Sequence, residues 1–164
     1  MKNKLFIVCP FSCMEAHLQN KYGKDIFFLT YTGAVLQNQD FDYMLAVKEF
    51  IIREEIKTIY IVNDTSCRFI NGIIQRTKIG TFAAERVMEE LYIENYYSDF
   101  HNKPLAEQQA KLALHNVKSQ ANELVNSLIG DCLTELKIEI RGLVTTKEMF
   151  KEIQIESKSK VYEF

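Results

Sequence analysis

The chain is predicted to fold as an α/β protein with three layers and a mostly parallel central sheet, on three observations. Short apolar runs without polar alternation recur at residues 4–9 (KLFIVC), 25–33 (DIFFLTYTG) and 57–64 (KTIYIVND), as strands buried on both faces show. Segments of helical spacing lie between them. The joints are short, and strand-helix-strand repeats of this kind build parallel sheets through right-handed crossovers. If the first crossover runs one way and the chain then returns past strand one, the strand order begins 2-1-3. Strands one and three are then neighbours, and the crevice between their carboxyl ends is the switch point where open α/β sheets place ligands.

Each element has its own warrant. Residues 12–23 (SCMEAHLQNKYG) open on a serine and stop on a glycine, which suits a brief helix. In residues 40–55, Asp40 is placed as an N-cap, and Phe41, Met44, Leu45, Val47, Lys48, Ile51 and Ile52 fall around helical spacing. Residues 81–92 (TFAAERVMEELY) read as a helix. Residues 103–130 read as a longer one, with Leu114, Val117, Ala121, Leu124 and Leu128 as one apolar stripe ending before Gly130. In residues 135–144, Leu136, Ile138 and Ile140 alternate with Lys137, Glu139 and Arg141, as in a half-exposed strand toward the sheet edge. Residues 149–155 (MFKEIQI) read as its hairpin partner or a last strand, and the polar tail 156–164 as a segment that frays or docks on a partner.

Composition narrows the function classes. At 164 residues, 47% hydrophobic and 12% aromatic, the chain is expected to form one domain, residues 1–164, with a substantial core. Its 20 basic and 22 acidic residues are interspersed and sum to -2, which gives no electrostatic reason to expect nucleic acid or an anionic membrane as partner. The first residues lack the apolar length and cleavage site of a signal peptide, and no stretch approaches the roughly 20 apolar residues of a membrane span. Four cysteines, Cys9, Cys13, Cys67 and Cys132, are too few for a disulfide scaffold, so a cytoplasmic protein with reduced thiols is expected.

The candidate site follows from the topology. Residues 9–13 (CPFSC) and 64–67 (DTSC) leave strands one and three at the switch point. Zinc accepts thiolate, imidazole and carboxylate ligands in a tetrahedron, so Cys9, Asp64 and Cys67 could supply three of four. Cys13 either completes a closed four-ligand site or faces the core of the first helix. Cys9 and Cys13 as a redox pair would lack the C-x-x-C spacing that tunes thiol reactivity. Cys132 reads as a buried small apolar residue, and His17, His101 and His115 as surface or core residues. Tyr92, Tyr96, Tyr97 and Phe100 read as interior packing or a dimer face.

From Lys4 to about Ile155 the order of elements and the two cysteine-bearing strand ends resemble the β-class carbonic anhydrases. In that family strand one ends in Cys-x-Asp-x-Arg, strand two carries Arg-Asn-Ala-Gly and strand three ends in His-x-x-Cys. The matching stretches here are CPFSC, TYTG and DTSC. Cys9, Gly33 and Cys67 agree with the pattern. Asp64 stands at the zinc-ligand histidine, Phe11 at the aspartate, Cys13 at the arginine and Thr30 at the strand-two arginine. Farther on, Gly142 fits a family strand whose Tyr-Asp pair is absent.

The resemblance implies zinc as cofactor, with Cys9, Asp64 and Cys67 around it, Cys13 as a candidate fourth ligand, and Phe11, Thr30 and Gly33 along the pocket. It also implies a homodimer. A carboxylate in place of a neutral imidazole leaves the metal set at -1, which makes any bound water a poorer acid. The family's gating carboxylate and guanidinium have no counterpart in Phe11 and Cys13. Three readings result: a carbonic anhydrase-like protein with an altered zinc site and weak or no CO2 hydration, a working lyase, or a metal-free domain that binds a small molecule or anion in the crevice or serves in assembly.

Overall fold

The computed structural model describes residues 3–77, 83–147 and 149–155. Five strands form one sheet: β1 (Lys4–Val8), β2 (Phe27–Thr30), β3 (Thr58–Asp64), β4 (Glu139–Thr146) and β5 (Met149–Ile153), in the order β2-β1-β3-β4-β5. The first four are parallel and β5 returns antiparallel to β4. In register, Ile7 lies beside Leu29 on one flank and Ile61 on the other, and Ile61 beside Gly142. The predicted 2-1-3 order and hairpin are both present.

The helices are α1 (Glu15–Tyr22), α2 (Phe41–Arg53), α3 (Arg68–Ile74), α4 (Ala83–Glu94), α5 (Leu105–Val125) and α6 (Gly130–Glu135). Right-handed crossovers running in opposite directions put their helices on opposite faces, which makes three layers. On the α1 side, Phe6, Val8, Tyr60, Val62 and Leu143 pack with Met14 and Leu18. On the α5 side, Leu5, Ile7, Cys9, Ile59, Ile61 and Val144 pack with residues of α2 to α6. The twofold alternation of strand side chains divides the two cores.

Local signals account for most boundaries. Asp40 caps α2, its carboxylate accepting from the Tyr43 N–H at 3.1 Å. Gly23, at φ 95°, ends α1 in a conformation that a side chain would resist. Gly142 lets α5 press onto the sheet, because a Cβ there would stand 2.4 Å from Val117 Cγ1.

Several expectations are corrected. The long helical pattern breaks at Val125, and Gly130 opens α6 instead of ending α5. The buried face of α5 is Leu112, Ala113, Asn116, Val117, Gln120, Ala121 and Leu124, while Leu128 is exposed. In the 135–144 segment the strand begins only at Glu139, and Gly142–Thr145 are buried because β5 covers that flank. The seven-residue α3 has no counterpart in the sequence reading. Thr81, Phe82 and the tail 156–164 lie outside the described residues.

Candidate functional site

β1 and β3 are hydrogen-bonded neighbours, so the residues that leave their carboxyl ends meet at one notch. Cys9 belongs to the Leu5–Ile7 face of β1, and Cys67 follows β3 by three residues as the residue before α3. The structure brings their sulfurs together: Cys67 Sγ donates to Cys9 Sγ at 3.7 Å, with both residues buried.

Cys9 sits among donors. The Cys67 thiol and the backbone N–H groups of Gly33, Phe11 and Ser12 all stabilise its anion against the penalty of burial, and its thiol falls from the ordinary 9.0 to about 7. The Cys67 thiol is pushed up, first by its hydrogen bond to Cys9, then by burial and by the neighbouring sulfur's charge. Of the two thiols Cys9 therefore ionises first, with its midpoint near neutral pH, while Cys67 keeps its proton.

Asp64 is placed differently. The alternation of β3 sets it with Tyr60 and Val62 on the α1 side, and its register partner is Thr145. Its Oδ1 accepts from Thr145 Oγ1 at 2.7 Å and from the Lys147 N–H at 2.8 Å. Its Oδ2 accepts from the Ser66 N–H at 3.1 Å and from the Ser66 hydroxyl, with Lys147 Nζ 3.8 Å away. This fully buried carboxylate fastens the end of β3 to the β4–β5 turn.

Cys13 takes neither position expected of it. Pro10–Ser12 form a 3-10 turn, and Cys13 follows in the left-handed region at φ 53°, exposed, with its thiol 3.9 Å from the Pro10 carbonyl. Ser12 is the buried residue of this turn, and its hydroxyl donates to the Cys9 carbonyl at 2.7 Å. Phe11 is half-buried against the α5-side core, and Thr30 is exposed at the end of β2. Gly33 is buried at φ 68°, where a Cβ would meet the Phe69 ring at 2.8 Å.

Beneath the notch lies a polar group that the sequence reading did not find. The Gly33 carbonyl accepts from Asn63 Nδ2 at 3.1 Å and from Asn116 Nδ2 at 2.8 Å, and Asn116 Nδ2 also donates to Asn63 Oδ1 at 2.6 Å. One turn along α5, Gln120 Oε1 accepts from the Leu36 N–H at 2.9 Å. These bonds hold the loop that aims the Gly33 N–H at Cys9. The available signal was an asparagine at the end of an otherwise apolar strand.

The donor set fits zinc at two positions and not at a third. Two sulfurs on one tetrahedral zinc, each at about 2.3 Å, stand about 3.8 Å apart, close to the separation seen. The Asp64 oxygens are engaged on the α1 side, and among the described residues no group of three or more His, Cys, Asp and Glu is placed to hold a metal ion. Cys132 is buried in α6, and His115 Nε2 is hydrogen-bonded to Asp99 Oδ2 at 2.5 Å.

The sequence matches no protein-family model and no curated protein. Solved structures do match. A β-carbonic anhydrase of Sordaria macrospora, one of two described as tetrameric, superposes with a TM-score of 0.80 at 17% identity, over 93% of this chain and 80% of that one. The β-carbonic anhydrase CafA of Aspergillus fumigatus gives 0.79 at 20% identity, over 93% and 76%. The Coccomyxa β-carbonic anhydrase bound to acetazolamide gives 0.76 at 20%, over 93% and 72%. This chain has the β-carbonic anhydrase fold. Within that β-carbonic anhydrase fold, identity this low conveys the path of the backbone and leaves the chemistry of the notch to its own side chains.

Proposed function

We propose that the chain is a β-carbonic anhydrase-like protein with an altered metal position and weak or no CO2 hydration. The observation that carries this reading is the engagement of Asp64 by Thr145, Ser66 and Lys147. Hydrogen bonds to a charged group are worth roughly 1.5–3 kcal/mol each, so freeing the carboxylate from all four to ligate costs on the order of 6–12 kcal/mol. That removes most of the roughly 10–16 kcal/mol that a structural zinc supplies. A zinc held by Cys9, Asp64 and Cys67 is therefore weak, and Phe11 and Cys13 offer no carboxylate–guanidinium gate beside it.

Self-association belongs to the same reading. The Sordaria enzymes are tetrameric, and β2 ends the sheet on one flank, next to an α2 that exposes Phe41, Leu45 and Ile52. A homodimer by light scattering is expected.

Zinc stoichiometry by native mass spectrometry and stopped-flow CO2 hydration test the site. The unaltered chain should lose zinc to a mild chelator and hydrate CO2 near the buffer rate. Asp64→His keeps residue 64 on the α1 side of β3 and should raise neither zinc retention nor activity. An unaltered chain that keeps one zinc through chelation and turns over CO2 rapidly would overturn the reading.

A further inference from the structure

The tyrosine cluster opens onto a cavity of about 510 Å³ lined by Ile73, Arg76, Glu89, Tyr92, Ile93, Tyr96 and Tyr97. It lies at the far end of α3 from Cys67, apart from the notch. We propose that this cavity binds a small planar aromatic carboxylate, its ring held among the tyrosines and its carboxylate on Arg76.

The walls suit a ring. Tyr92 and Tyr96 stand 5.7 Å apart at 68°, and Tyr96 and Tyr97 5.3 Å apart at 79°, so both faces and edges are presented. Tyr92 is fixed from behind, by Phe100 at 4.5 Å and by its hydroxyl donating to Gln108 Oε1 at 2.9 Å. Buried Ile73 supplies an apolar floor, while Tyr97 and Ile93, 84% and 70% exposed, form a rim that gains by being covered. The volume falls within the usual range for small-molecule sites, about 300–1,000 Å³.

The charge selects an anion. Arg76 follows α3 with its backbone fixed by Arg76 N–H to Ile73 O at 3.4 Å and Thr77 N–H to Gly72 O at 2.9 Å. Among the described residues its guanidinium makes no ion pair. Glu89, the other charged lining residue, is already partnered. An aromatic box alone would favour a cation, but a guanidinium in its wall opposes one and matches a carboxylate through two parallel hydrogen bonds.

Benzoate, benzamide and benzylammonium, titrated separately and followed by ligand-observed NMR, decide the matter. Benzoate should saturate, benzamide should bind about tenfold more weakly for want of the charge-assisted pair, and benzylammonium weaker still. Arg76→Gln should erase the advantage of benzoate and leave benzamide unchanged, whereas Tyr96→Ala should weaken both. Equal binding of benzoate and benzamide, or no saturation by any probe, overturns the proposal even if a variant fails to fold. So does a Tyr97→Ala change that turns a dimer into a monomer while benzoate binding is absent, since the face would then be a contact between copies. None of these outcomes depends on zinc or CO2 hydration.

Discussion

The two sides of the sheet's carboxyl end use the same crossing of β1, β3 and β4 for different purposes. On the α5 side, Cys9 and Cys67 face each other with one hydrogen bond between them and backbone donors around. On the α1 side, Asp64 is saturated by Thr145, Ser66 and Lys147. The first side retains unspent chemistry: a sulfur pair with a low-lying charge. The second has spent its charge on holding strands together. A residue's place in a motif therefore says less about ligation than the face on which its strand presents it.

The largest effect should come from breaking the fastened side. Asp64→Ala removes every acceptor at once, stranding the buried Thr145 hydroxyl and unpairing the part-buried Ser66 and Lys147 N–H groups. Urea unfolding should show a loss of about 4 kcal/mol, less than the four bonds summed because the substitution also removes a buried charge and its desolvation penalty. Asp64→Asn keeps one carbonyl oxygen and should lose about half of that. A loss below about 1 kcal/mol for Asp64→Ala would mean that the carboxylate is free to serve elsewhere.

Next comes the polar group that supports the notch. Asn116→Ala deletes the hydrogen bonds to the Gly33 carbonyl and to Asn63, but also removes Asn116 Oδ1, which is buried without a partner. The net cost should be about 2 kcal/mol by the same denaturation.

The sulfur side should reveal itself through pH. The folded Cys9 pKa lies below its unfolded value, so its contribution is fully present above about pH 9 and is lost as pH falls through about 7. Cys67 is raised, so its contribution is present below about pH 9 and declines above it. Stability should thus climb between pH 7 and pH 9 and fall beyond. A two-unit depression caps the climb at about 2.7 kcal/mol, and a climb of about 1–3 kcal/mol is the expected size. Cys9→Ser should flatten the climb. A profile unchanged by that substitution would show that the sulfurs do not share a proton.

The sheet was legible because strands buried on both faces leave nothing but apolar runs, and the α2 start was legible because Asp40 does the capping its side chain suits. α3 escaped because RFINGII, four of whose seven residues are buried, shows no polar face to betray helical period. The stripe on α5 was misread where Asn116 and Gln120 enter the interior, since burial paid by hydrogen bonds leaves no hydrophobic trace. Cys13 was misplaced because the 3-10 turn at Pro10 rotates the chain before α1 begins. The side taken by Asp64 could have been read: counting by twos from Tyr60 and Val62 arrives at it, and from Ile59 and Ile61 at Asn63.

The smallest expected effect asks whether the two sides are coupled. Lys147 Nζ donates to the Ser12 carbonyl at 2.7 Å and lies 3.8 Å from Asp64, with its side chain 45% exposed. Solvent screening limits Lys147→Met to about 0.5–1 kcal/mol of stability. Ser12 belongs to the turn whose N–H groups stabilise the Cys9 anion, so a looser turn should let the Cys9 thiol titrate at higher pH. Thiolate absorbance of the Lys147→Met chain, compared with Lys147→Arg, reads that shift directly. If Met moves Cys9 upward and Arg does not, the fastening of Asp64 and Lys147 reaches across the sheet end to tune the sulfurs. If neither moves it, the backbone of the Pro10–Ser12 turn holds its own shape, and the two sides are independent despite sharing one crossing.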